Sequence, residues 1–250
     1  MRATQFAVCS LFCLVGAATS RAQGLAHNEN YIVLTEDPQL AEDVLQSAQQ
    51  FREQLANRWF GKPLPTGAGR TIIHIEVARD GQDRGLTWPI DSPQRKHHKV
   101  WLVTNQDRAT GSTLQHEILH TLFATRYPEG LPAWIDEGAA SLCDDAERFD
   151  IRRRVIDSFA RTGNWPDLRR TLNASTISKT NREAYSVAAT VTQFLLTRGD
   201  RPKFLKFAVT GRNEGWEIAL RQHYGMRGID QLQQAWQQWA RQGRQVAAVR

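Results

Sequence analysis

Two histidines, His116 and His120, stand four residues apart in a segment that is apolar around much of its circumference, and nothing else in the chain constrains the fold as tightly. Leu114, Ile118, Leu119, Leu122 and Phe123 supply those apolar positions. A helix of that composition is buried, and buried imidazoles need partners. Residues i and i+4 share one helical face. Both rings therefore point to one place, at a separation that a single ion can bridge. Zn²⁺ takes imidazole nitrogen readily, and a reactive zinc site uses three protein ligands and keeps one position open. Glu117 directly follows the first histidine and completes the pattern H-E-x-x-H, with a side chain that can reach a water bound to the same metal.

A third ligand is expected downstream. Pro128 and Gly130 stop the first helix, and Pro132 suits the first position of the next, which runs to about Cys143. Two helices in a hairpin can return Glu137 to the histidines, and Gly138 and Ala139 beside it permit close packing. Ser112, with Gln115 three residues on, predicts a capping box at the start of the first helix. Asp136, Asp144 and Asp145 are candidates to orient the ligand histidines.

Upstream, Tyr31–Leu34 and Thr71–Val77 read as strands, and Asp37-Pro38 opens a helix to about Trp59. Residues 80–98, with Gly81, Gly85, Pro89 and Pro93, read as a long polar loop, a candidate lid. Val100–Val103 reads as a strand and as a candidate sheet edge for an added peptide strand. Downstream, helices are expected near 147–162, 182–198 and 214–224, with a last one capped by Asp230. The expected fold is therefore α+β in one domain over 23–250: a small mixed αβ lobe to about residue 126, then a mainly helical lobe.

Met1-Arg2, the apolar run Phe6–Val15 and small residues ending at Ala22 have the layout of a secretory signal, with cleavage expected after Ala22. The apolar run is shorter than the roughly 20 residues a spanning helix needs, so no stable membrane insertion is expected after cleavage. Cys143 alone would then remain, which excludes an intrachain disulfide and fits a secreted or bacterial periplasmic protein. The chain holds 32 basic and 26 acidic residues, a formal +6. That excess is dispersed, and Arg152-Arg153-Arg154 reads as the solvated face of a helix, so no nucleic-acid partner is expected.

The segments HEILH and LPAWIDEGAA resemble the gluzincins, and more narrowly the peptidase MA-like families whose second motif is P-x-W-x-x-E-G-x-A. Here that motif is Pro132, Trp134, Glu137, Gly138 and Ala140. The resemblance extends loosely over residues 100–243, including 185–199 and Trp216, Tyr224 and Trp236. It implies a zincin-like fold with His116, His120 and Glu137 as zinc ligands, Glu117 as general base and a peptide or protein substrate. It also implies an oxyanion-steadying side chain, for which Tyr185 is the candidate and His223 a poorer one. Thermolysin-like members carry an Asp four residues after the Glu ligand, where this chain has Ser141. Three other functions fit the sequence: an inactive zinc-binding envelope protein, hydrolysis of a different amide, and a binding module that uses Leu232, Trp236 and Trp239. His74, His97 and His98 lack ligand spacing and read as structural or solvent-facing.

Overall fold

The computed structural model describes residues 24–67, 69–78, 81–90, 97–178 and 180–243. The expected signal segment 1–22 lies outside the described residues. The chain is α+β, with a five-stranded sheet in the N-terminal part and helices after it.

The strands are β1 (Gly24–His27), β2 (Tyr31–Thr35), β3 (Thr71–Val77), β4 (Arg84–Ile90) and β5 (His97–Thr104). Their order is β1-β2-β3-β5-β4. β2, β3 and β5 run parallel, and the two outer strands run antiparallel to their neighbours. Helix α1 (Pro38–Phe60) links β2 to β3, capped by Asp37. It packs with α2 (Ser112–Arg126) against one face of the sheet. That face buries Val33, Ile73, Ile75, Val100 and Leu102. The opposite face carries Leu25, Leu34, His74, Trp101 and Leu86 in one row across all five strands.

Two expectations about the sheet need correction. The stretch 80–98 is not a structureless lid, because it contains β4. Gly85, Thr87 and Pro89 hide the strand pattern, yet proline is tolerated where a strand has an unpaired side. β5 is not an edge either. It lies between β3 and β4, and β4 is the edge nearest α2.

The helical part comprises α3 (Ala133–Ala140), α4 (Ala146–Thr162), α5 (Leu168–Leu172), α6 (Arg182–Leu196), α7 (Arg201–Glu214), α8 (Trp216–Tyr224) and α9 (Ile229–Arg241). α5 and α7 were not expected. Asp200 caps α7 by accepting a hydrogen bond from the Lys203 N–H. Apolar residues from both parts form one continuous core, from Ala26 to Ala240. Among the described residues, no helix is long and apolar enough to cross a membrane.

Two cap expectations also fail. Gly111, not Ser112, occupies the cap of α2, and the Gln115 N–H bonds to the Gly111 carbonyl. The Ser112 hydroxyl donates instead to Asp145 at 3.4 Å. Gly228 holds the cap of α9, and Asp230 falls inside its first turn.

A candidate metal centre

α2 carries both histidines inward. Their rings lie with centroids 4.9 Å apart, nearly perpendicular to each other. Both residues are buried, as is Glu117 between them.

α3 delivers the third group. At eight residues it is too short to be stable alone, so its place is set by packing. Trp134 is fully buried among Phe204, Phe207 and Trp216 at centroid distances of 5.3–6.2 Å. Gly138 meets α6 so closely that a Cβ there would sit 2.6 Å from the Ala188 carbonyl oxygen and 2.4 Å from Thr192 Oγ1. These two anchors hold Glu137 against the histidines.

Glu137 Oε2 lies 3.7 Å from His116 Nε2 and 3.7 Å from His120 Nε2. Neither distance is a hydrogen bond, and this buried oxygen has no hydrogen-bond partner among the described residues. An orphaned buried carboxylate oxygen is costly. Ligands of one tetrahedral zinc stand about 3.3 Å apart, so a small contraction would satisfy all three groups with a single cation. The donor atoms of His116, His120 and Glu137 all fall within 4.8 Å of one another. The residues therefore fit a bound metal ion.

The other nitrogen of each ring faces a carboxylate. His116 Nδ1 hydrogen-bonds to Asp144 Oδ1 at 3.0 Å. His120 Nδ1 lies 2.9 Å from Asp136 Oδ1. This arrangement turns both Nε2 atoms toward Glu137. Asp145, the third candidate, instead caps α4 by accepting from the Arg148 N–H. The position that holds Ser141 contributes only its carbonyl, which accepts from Arg152.

The charges explain the proton affinities. Burial works against a charged His116, but the Asp144 carboxylate outweighs it and raises the ring to about 10. His120 is raised likewise, with Asp136 opposing burial. Burial would raise Glu137, yet the His116 and His120 imidazoles hold it down to about 2. Asp144, also buried, is held at about 2 by His116 and then by Arg152 and Arg148. Protons on the imidazoles and a metal cation would thus be alternative occupants of one cage.

Glu117 belongs to the cleft rather than to the cage. The Thr87 hydroxyl on β4 donates to Glu117 Oε2 at 2.5 Å. Gly85 leaves room for it, since a Cβ there would stand 2.4 Å from Glu117 Cγ. His116, Glu117 and Tyr185 line a cleft of roughly 300 Å³ between β4, α2, α4 and α6. The Tyr185 phenol faces Glu137, and burial, then that carboxylate's charge, push it well above its ordinary range. His223 is elsewhere, bonded to Thr210 at 2.9 Å. His74 stacks on Trp101 on the open sheet face, and His98 is buried in β5.

Sequence reasoning missed four contributors. Thr87 and Gly85 were hidden in the supposed loop. Arg152 is not solvated: it is buried and donates to Asp144 at 2.6 Å. Arg148 donates to Thr113 Oγ1 at 2.8 Å and to the Asp83 carbonyl, and lies 3.6 Å from Asp144. The signal was available in the i, i+4 spacing of 148 and 152, which puts both on one face of α4.

Comparison of the chain with protein-family models, with curated proteins and with solved structures gives no match. The candidate metal centre therefore rests on its own geometry.

Proposed function

We propose that this protein is a zinc-dependent peptidase of the gluzincin type, exported by its N-terminal segment. The observation that carries the reading is the orphaned Glu137 oxygen, set equally from two imidazoles whose outer nitrogens both face carboxylates. Two nitrogens and one carboxylate oxygen suit zinc in a catalytic rather than a structural site, since structural zinc favours four closed ligands rich in cysteine.

His116, His120 and Glu137 would hold the ion. Bound zinc would supply Lewis acidity and lower the pKa of water toward 7. Glu117 faces the open cleft and takes the proton of the attacking water. It then returns that proton to the leaving amine. Thr87 fixes the orientation of the carboxylate meanwhile. Tyr185, on the opposite wall, is the hydroxyl available to steady the developing oxyanion. β4, the exposed strand beside Glu117, replaces β5 as the edge along which an extended peptide would lie.

The test begins with metal analysis of the purified protein beside His120→Ala. About one zinc per chain is expected, and loss of it in the variant. Absence of metal in both, even after reconstitution, would remove the centre. Glu117→Gln should keep the metal and lower kcat/KM on a peptide by roughly 10²- to 10⁴-fold. Undiminished hydrolysis in that variant would remove the base assignment.

A further inference from the structure

The cleft beside Glu117 carries more positive than negative charge, and the surplus falls on one residue. Four arginines line it (Arg84, Arg148, Arg152, Arg182) with three carboxylates (Asp83, Glu117, Asp144). Arg152 is consumed by Asp144 and by the Ser141 carbonyl. Arg148 is consumed by Asp83, Thr113 and Asp144. Both are locked in place and offer little to an incoming molecule.

Arg84 and Arg182 have no carboxylate partner among the described residues, but they are placed differently. On β4, Gly85 and Thr87 face Glu117. Successive side chains of a strand alternate, so Arg84 projects to the other face and stands at the rim. Arg182 opens α6, and Tyr185 and Ser186 follow at i+3 and i+4. All three line the cleft and share one helical face. The Arg182 carbonyl accepts from the Ser186 hydroxyl, which secures this turn. Ile151 on α4 contributes an apolar wall beside it.

We infer that Arg182 is a specificity-determining residue that selects substrates carrying a carboxylate next to the hydrolysed bond. This rests on the peptidase reading for the place of the bond, not for the charge of the pocket. A guanidinium with no side-chain partner among the described residues, in a cleft where Arg148 and Arg152 are already paired and Arg84 stands at the rim, matches a carboxylate in charge and in planar two-point geometry. The carboxylate has two sources: an Asp or Glu side chain, or the end of the peptide chain. Lysine- and arginine-flanked bonds are disfavoured by the same charge.

The experiment separates the sources and the two readings. Zinc-loaded Glu117→Gln protein is titrated calorimetrically with four peptides, bearing Glu or Gln on both sides of a central bond and a free or amidated C-terminus. About tenfold tighter binding of the Glu peptides assigns the side chain, and the same gain from a free terminus alone assigns the chain end. Adding Arg182→Ala should abolish the gain, with zinc content and melting temperature confirming an intact fold. Adding Arg84→Ala should leave it. Equal binding of all four peptides overturns the inference, as does a preference that survives Arg182→Ala or falls equally with Arg84→Ala. Wild-type hydrolysis of the same peptides is read separately. Cleavage without preference sinks the carboxylate site alone, and preference without any cleavage sinks the peptidase alone.

Discussion

The two histidines of the cage are chemically alike, but they are held by different kinds of surroundings. His116 leans on Asp144, whose side chain is only 5% exposed and which also accepts from Arg152 and faces Arg148. His120 leans on Asp136, which is 35% exposed and has no arginine partner among the described residues. The inner half of the site is a buried network whose members each satisfy another. The outer half is a single contact at the surface. A buried charge deprived of its partner is far more costly than a surface pair that is broken, so the halves should respond very differently to the same Asp→Ala change.

The largest effect should come from Asp144→Ala. It strands Arg152 and frees His116 to rotate. Zinc affinity is expected to fall about 100-fold, and the metal-free protein to lose about 3–5 kcal/mol, read by chelator competition and denaturant unfolding. Arg148→Ala comes next. Removing the donor to Asp83 and Thr113 loosens the start of β4 from α2, at about 1–2 kcal/mol. Because β4 borders the cleft, KM should rise more than zinc affinity falls. Asp136→Ala should be milder: about tenfold in zinc affinity and under about 1 kcal/mol in stability. Equal losses from the two aspartate variants would break the contrast between the halves.

The smallest effect sharpens the contrast from the flank. Cys143 neighbours Asp144, and burial, then that carboxylate, push its thiol up to about 12. An unfolded thiol ionises near ~8.5. The thiol's contribution to stability is therefore complete below that pH and is lost as pH rises toward 12. Iodoacetamide at pH 8 should leave the native protein unlabelled and modify it on unfolding. Rapid labelling of the native protein would mean that the inner half opens readily.

The contrast also marks what could be read in advance. The cage was legible because helical spacing is a local rule: His116 and His120 at i, i+4, and Glu137 one hairpin later. The α+β class followed from strands and helices whose apolar periods are plain, such as Thr71–Val77 and the helix from Pro38. What surrounds the cage was less legible, because it is built from residues that look like something else. Arg152 sat in a run of three arginines and passed for surface. Thr87 and Gly85 lay among prolines and glycines, where an edge strand shows little periodicity. Gly111 took the cap that Ser112 seemed to claim, since a glycine's extended backbone serves there without any side-chain bond. Asp136 and Asp144 were candidates by type, and only the fold could say which histidine each would meet.

The packing of Gly138 against α6 has a consequence for how this chain can vary. The atom that a new Cβ would strike hardest in the main chain is the carbonyl of Ala188, and no substitution elsewhere can shorten a backbone. Thr192 could be traded for a smaller residue, but Ala188 offers nothing to trade. Position 138 is thus closed to every larger residue unless α3 and α6 move apart. Since α3 bears Glu137 and α6 bears Tyr185 and Arg182, a single methyl group at 138 would shift one wall of the site relative to the other. In a lineage that keeps this site, variation should reach 192 long before it reaches 138.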